Sequence, residues 1–150
     1  MAADNVLADL CFETTQTVRH DPTRIADLLT GAFEGGSNYW YGALGVSELP
    51  PGLTKWDFKL GGLASAVLGG YYHWSVAVPL LGGTVSMTAD GFTENEGDRI
   101  TFSRGEIQRG LDLFGKVAPC HLADWLEEND DADTGDVFLQ LCLFGEVVYG

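Results

Sequence analysis

Residues 137 to 144 read Val-Phe-Leu-Gln-Leu-Cys-Leu-Phe, a run that is apolar on every side. A surface helix needs one polar face, so a helix without one belongs in the middle of a core. The run therefore predicts a central helix, starting at Asp133 or Asp136, with an acidic side chain complementing its positive end.

The rest must wrap this helix. Asp21, then Pro22 at the first helical position, predict a helix start. Ile25, Leu28, Leu29, Ala32 and Phe33 then recur on one buried face until Gly35-Gly36 ends the element. The β-branched composition of Cys11 to Val18 predicts a strand over 8–18. Residues 47 to 56 contain Pro50-Pro51-Gly52 and read as loop. Leu63 to Leu68, bracketed by Gly61-Gly62 and Gly69-Gly70, reads as a short helix or a flap. Alternation predicts strands over 71–78 and 84–89, joined as a hairpin through Leu80-Leu81-Gly82-Gly83. Arg99 to Phe102 adds a short strand. Ser103 and Glu106 have capping-box spacing before a helix with Ile107, Leu111, Phe114 and Ala118 on one stripe. Pro119 opens a further helix with Leu122, Trp125 and Leu126 inward. The expected class is α+β, a small antiparallel sheet packed against three to four helices, with the apolar C-terminal helix central. The 150 residues suit a single domain, with a Gly-rich flap or insertion at about 57–93.

Charge bounds the function. Asp and Glu number 22 against 8 Lys and Arg, a net charge of -14. Such a chain repels nucleic acid and anionic membranes, so direct binding to either is not expected. No window reaches the about 18 consecutive apolar residues of a membrane span. No basic region precedes an apolar core at the N-terminus, so no signal peptide is expected. Cys11, Cys120 and Cys142 are an odd set without regular spacing, which fits a reducing, cytoplasmic compartment.

Residues 127 to 136 concentrate six carboxylates. One reading is a solvated connection ending in a helix cap. The other is a contact surface for a basic partner, carried by Glu127, Glu128, Asp130, Asp131 and Asp133. A calcium loop fails in register, since Thr134 stands where glycine is needed and Gln140 where the bidentate glutamate is needed. Cys120 and His121 are adjacent, and the other cysteines and histidines lie far apart, so no metal or other cofactor is expected. Cys120 with His73 or His121 and a carboxylate is the only basis for a small hydrolase, and no nucleophile motif accompanies it. A pocket for a planar ligand, such as a nucleotide signal, is the remaining option. It would use Asn38, Tyr39, Trp40 and Tyr41, with Arg109 in the Arg99, Arg104, Arg109 cluster neutralising a phosphate. Core packing explains the same rings.

Four segments carry a resemblance: Glu34 to Tyr41, Ile107 to Leu111, Asp131 to Gln140, and Phe144 to Gly150. Together they resemble an uncharacterised group of small proteins encoded by phages and prophages. The resemblance covers the first helix and the C-terminal third, and not residues 57 to 93. It implies a phage origin and brings no activity or catalytic residues. With the charge, it leads to the expectation of a non-enzymatic inhibitor, of the anti-CRISPR or nucleic-acid-mimic kind. Such a protein would bind a host defence or nucleic-acid-handling protein through that protein's basic surface. A homo-oligomer stays open.

Overall fold

The computed structural model describes residues 10 to 150. The elements are α1 (Pro22–Gly31), a π-turn (Ala32–Gly36), β1 (Tyr41–Glu48), a 3-10 turn (Lys55–Phe58), α2 (Leu63–Leu68), α3 (Trp74–Leu80), β2 (Thr84–Ala89), β3 (Ile100–Phe102), α4 (Arg104–Val117), α5 (Pro119–Leu126) and α6 (Ala132–Phe144). The fold is α+β, with a three-stranded antiparallel sheet in the order β1-β2-β3.

The apolar run becomes α6, and it is the centre of the molecule. Phe138, Leu139, Gln140, Leu141 and Cys142 are fully buried. Helices α1, α4 and α5, the π-turn and β3 all pack against it. Its start lies slightly earlier than expected, because Asp131 is the cap: its Oδ1 accepts the Thr134 N–H at 3.0 Å and the Thr134 hydroxyl at 3.2 Å.

Helix α1 forms as its sequence dictates. Asp21 Oδ1 accepts the Thr23 N–H at 2.9 Å, and Ile25, Ala26, Leu28 and Leu29 are buried. Where α1 passes into the π-turn it crosses the start of α6 with two glycines at the contact. A β-carbon on Gly36 would stand 2.0 Å from the Ala132 carbonyl oxygen, and one on Gly135 would stand 2.7 Å from the Leu28 carbonyl oxygen. Only hydrogen fits at either place.

Strand β2 is the middle strand, although it lies within the stretch 57–93. It pairs with β3 on one side and, on the other, with β1, which the first aromatic segment opens. The β1 ladder is interrupted between Gly42 and Gly45, where Ala43 has a positive φ of 49°. Arg99 fastens this irregularity: its Nη2 donates to the Ala43 and Ser86 carbonyls and its Nε to Ser86 Oγ.

Five expectations are corrected. Residues 10 to 18 of the strand expected over 8–18 carry no regular secondary structure and are exposed, because no strand lies beside them; residues 8 and 9 lie outside the described residues. The strand expected over 71–78 is replaced by α3, capped by His73. Ser75 to Pro79 are all buried, so both faces of this helix are apolar and its alternation carries no information about period. The hairpin therefore does not form, and β2 finds its partner in β1. Ser103 and Glu106 do not make a reciprocal box; the hydroxyl donates to Glu106 Oε2 at 2.5 Å instead of receiving a backbone N–H. Leu126, expected inward on α5, is 55% exposed, whereas Trp125 is fully buried.

Candidate functional site

The acidic run divides by geometry. Glu127 and Glu128 turn the chain out of α5, with Glu128 at a positive φ of 60° and its N–H donating to the Trp125 carbonyl at 3.1 Å. Arg24 binds the same place: its guanidinium donates to the Trp125 carbonyl and lies 5.4 Å over the Trp125 ring. It also pairs with Glu128 at 3.7 Å, the only ion pair among the described residues. Glu127, Glu128, Asp131 and Asp133 are exposed and Asp130 is half-buried. Four of the five side chains expected to meet a partner thus share the connection between α5 and α6, and Asp133 follows in the first turn of α6.

Asp131 is the exception in availability, because its carboxylate is the α6 cap. The Thr134 N–H it accepts holds its pKa below the usual carboxylate value, with the nearby His121 adding a smaller contribution. His121 Nδ1 in turn lies 3.1 Å from Thr134 Oγ1.

The sixth carboxylate, Asp136, points the other way. It is the only buried acidic side chain among the described residues. Ser37 Oγ donates to its Oδ1 at 2.8 Å, the Trp40 indole N–H to the same oxygen at 2.7 Å, and the Tyr39 hydroxyl to its Oδ2 at 2.7 Å. Three donors compensate the loss of water around a buried carboxylate. Partial desolvation of the hydroxyl, although the ring is largely exposed, and the Asp136 carboxylate raise the Tyr39 pKa to about 12.

One helical turn later Gln140 repeats the arrangement toward the other end of the chain. Its Oε1 accepts the N–H groups of Val148 and Tyr149, each at 2.8 Å. The Tyr149 ring then stacks on Trp40, with centroids 5.0 Å apart and planes inclined by 6°. Sequence reasoning did not single out Asp136 or Gln140 as anchors. The available signal was two polar residues at i, i+4 on a helix otherwise marked for the core.

The five residues expected to hold a planar ligand are not gathered around one cavity. Trp40 is 1% exposed, its N–H is taken by Asp136, and the Tyr41 hydroxyl donates to the Phe33 carbonyl at 2.6 Å. Tyr41 borders a cavity of about 200 Å³ with Phe33, Leu44 and His73, while Arg109 borders a separate depression. Tyr39 and Asn38 are exposed. Arg109 reaches the end of α6, donating to the Cys142 carbonyl at 3.0 Å through Nε and to the Leu143 carbonyl at 2.6 Å through Nη2.

Cys120 is exposed on α5, and the two histidines considered with it are bonded to hydroxyls elsewhere, His121 to Thr134 and His73 to Ser75 Oγ at 2.8 Å. Cys142 is buried, and desolvation pushes its thiol pKa well up. Among the described residues no group of three His, Cys, Asp or Glu side chains is placed to hold a metal ion, and no helix is long and apolar enough to cross a membrane.

The segments Glu34 to Tyr41, Ile107 to Leu111 and Phe144 to Gly150 each reach α6. Ser37 to Trp40 bind Asp136, Arg109 binds the end of α6, Gly110 packs against Cys142, and residues 148 and 149 bind Gln140. These blocks build the scaffold around α6. Fold and site together define an α+β protein with an acidic connection presented beside a tightly bonded central helix. No protein-family model, curated protein or solved structure matches the chain.

Proposed function

We propose that this chain is a non-enzymatic acidic binding protein of phage or prophage origin. It acts in the host cytoplasm by occupying the basic surface of a host defence or nucleic-acid-handling protein. The observation that carries this reading is the state of its carboxylates. Among the carboxylates of the described residues, Asp136 alone is buried and Glu128 alone forms an ion pair. The surplus charge is therefore displayed to solvent instead of being neutralised within the fold. It is densest on the α5–α6 connection, with a second group at Asp90, Glu94, Glu96 and Asp98. A dense negative surface attracts a channel shaped for a phosphate backbone and accelerates encounter with it.

The test is affinity capture of host proteins at low and high salt, with the wild-type chain and with Glu127→Lys, Asp130→Lys and Asp133→Lys combined. Asp131 is left intact because it caps α6. A partner retained at low salt by the wild type, and lost on charge reversal, supports the reading. Capture of no partner sensitive to both salt and charge reversal removes it.

A further inference from the structure

Eight basic side chains serve the whole molecule, and two of them border one open depression of about 490 Å³, together with Thr101, Gly105 and Glu106. Arg99 arrives from the residue just before β3 and Arg109 from the second turn of α4.

Both guanidinium groups are fixed, and neither is neutralised. Arg99 uses Nε and Nη2 to bind Ser86 and the Ala43 carbonyl. Arg109 uses Nε and Nη2 to bind the Cys142 and Leu143 carbonyls. Among the described residues no hydrogen bond engages the Nη1 of either. No carboxylate pairs with either, since the single ion pair among the described residues belongs to Arg24. Every anchoring partner is an uncharged oxygen, so none of them offsets a positive charge. Gly105 lines the same depression, with nothing within 4 Å of where its β-carbon would stand.

We infer that this depression binds the phosphoryl group of a small phosphate monoester, held between the Nη1 edges of Arg99 and Arg109. Guanidinium groups immobilised beforehand lose little freedom on binding, and their planar edge matches phosphate oxygens. Donors arriving from two elements suit a tetrahedral group with acceptors on several sides better than a planar carboxylate. The net charge of the molecule repels polyanions, which selects a compact ligand over nucleic acid. Glu106, half-buried at the rim and bonded to Ser103, opposes any anion and sets the affinity from below. This site stands whether or not the acidic connection binds a partner.

The experiment is an NMR titration of the full chain at constant ionic strength with inorganic phosphate, adenosine 5′-monophosphate and acetate, following the arginine Nε–H signals. Saturable shifts of Arg99 and Arg109 are expected with the first two. Arg99→Gln weakens binding about tenfold, the loss of one charge-assisted hydrogen bond. Arg99 also fastens β1, so Glu106→Gln supplies the second arm: it leaves both arginines in place and tightens binding. Absence of saturable shifts, acetate binding as tightly as phosphate, or affinity unchanged in both variants overturns the assignment.

Discussion

The indole N–H of Trp40 and the carboxylate of Asp136 are 2.7 Å apart across 96 positions of sequence, both inside the core. Ser37 and Tyr39 bond the same carboxylate, so one side chain fixes the whole path from the π-turn into β1.

Replacing Asp136 by alanine strands the Ser37 and Trp40 donors without water. The expected loss is roughly 3 kcal/mol or more, because each buried donor left unpaired costs about 1 to 3 kcal/mol. Asp136→Asn retains an acceptor for Trp40 and loses less. Urea denaturation of the two variants, read at a common m value, checks the ranking.

Two adjacent glycines respond oppositely to the same change. Gly36→Ala drives a methyl group into the Ala132 carbonyl, 2.0 Å away, and destabilises by about 3 kcal/mol or more. Gly35→Ala meets nothing within 4 Å and is neutral or slightly stabilising. Thermal midpoints of the two variants separate close approach from general intolerance of the turn.

Alkaline pH unfolds the chain in part through Tyr39. Its phenol titrates at about 12 in the folded state against 10.0 for the free side chain. Between those values the unfolded chain has lost a proton that the native chain keeps, so stability falls as pH rises. Below 10.0 the contribution is fully present. Tyr39→Phe makes the decline shallower without abolishing it, because burial also raises Tyr41 and Tyr149. Denaturation midpoints across the alkaline range, with and without the substitution, provide the measurement.

Asp131 produces the opposite dependence in acid. Its lowered pKa stabilises the fold above the ordinary value of 3.8, and this is lost as pH falls through the depressed value. Asp131→Ala removes the cap at a cost of about 1 kcal/mol near neutral pH and flattens the acid limb. An unchanged acid limb in the variant would contradict the assignment of this cap.

Gln140→Leu fills the same volume and releases the carbonyl oxygen's hold on Val148 and Tyr149. Their amide protons are expected to exchange faster, while those in the middle of α6 keep their protection. Hydrogen exchange resolved by residue distinguishes this local release from global loss of stability.

Local chemistry made several elements legible. Asp21-Pro22 with its apolar stripe specified α1, and the uniformly apolar run specified α6 and its central place. Val85 and Met87 gave β2. The errors occurred where the deciding interaction is distant. Ser75 to Pro79 is buried on all sides, so no period could separate helix from strand there. Leu10 to Val18 has strand composition, but a strand needs a neighbour, and local sequence does not contain one. The acidic run was legible as a group, yet five carboxylates facing solvent and one facing Trp40 look alike until the α6 register is fixed. Counting back one helical turn from the buried Gln140 reaches Asp136, and this is the arithmetic that would have distinguished it.

The grip of α6 on residues 37 to 40 and on residues 148 and 149 has a kinetic consequence for biosynthesis. While a ribosome is still reading the codons for α4, the aromatic segment after α1 has no carboxylate to meet and α1 has no helix to cross. Residues 37 to 40 and residues 148 and 149 therefore find their buried partners only once α6 has been synthesised.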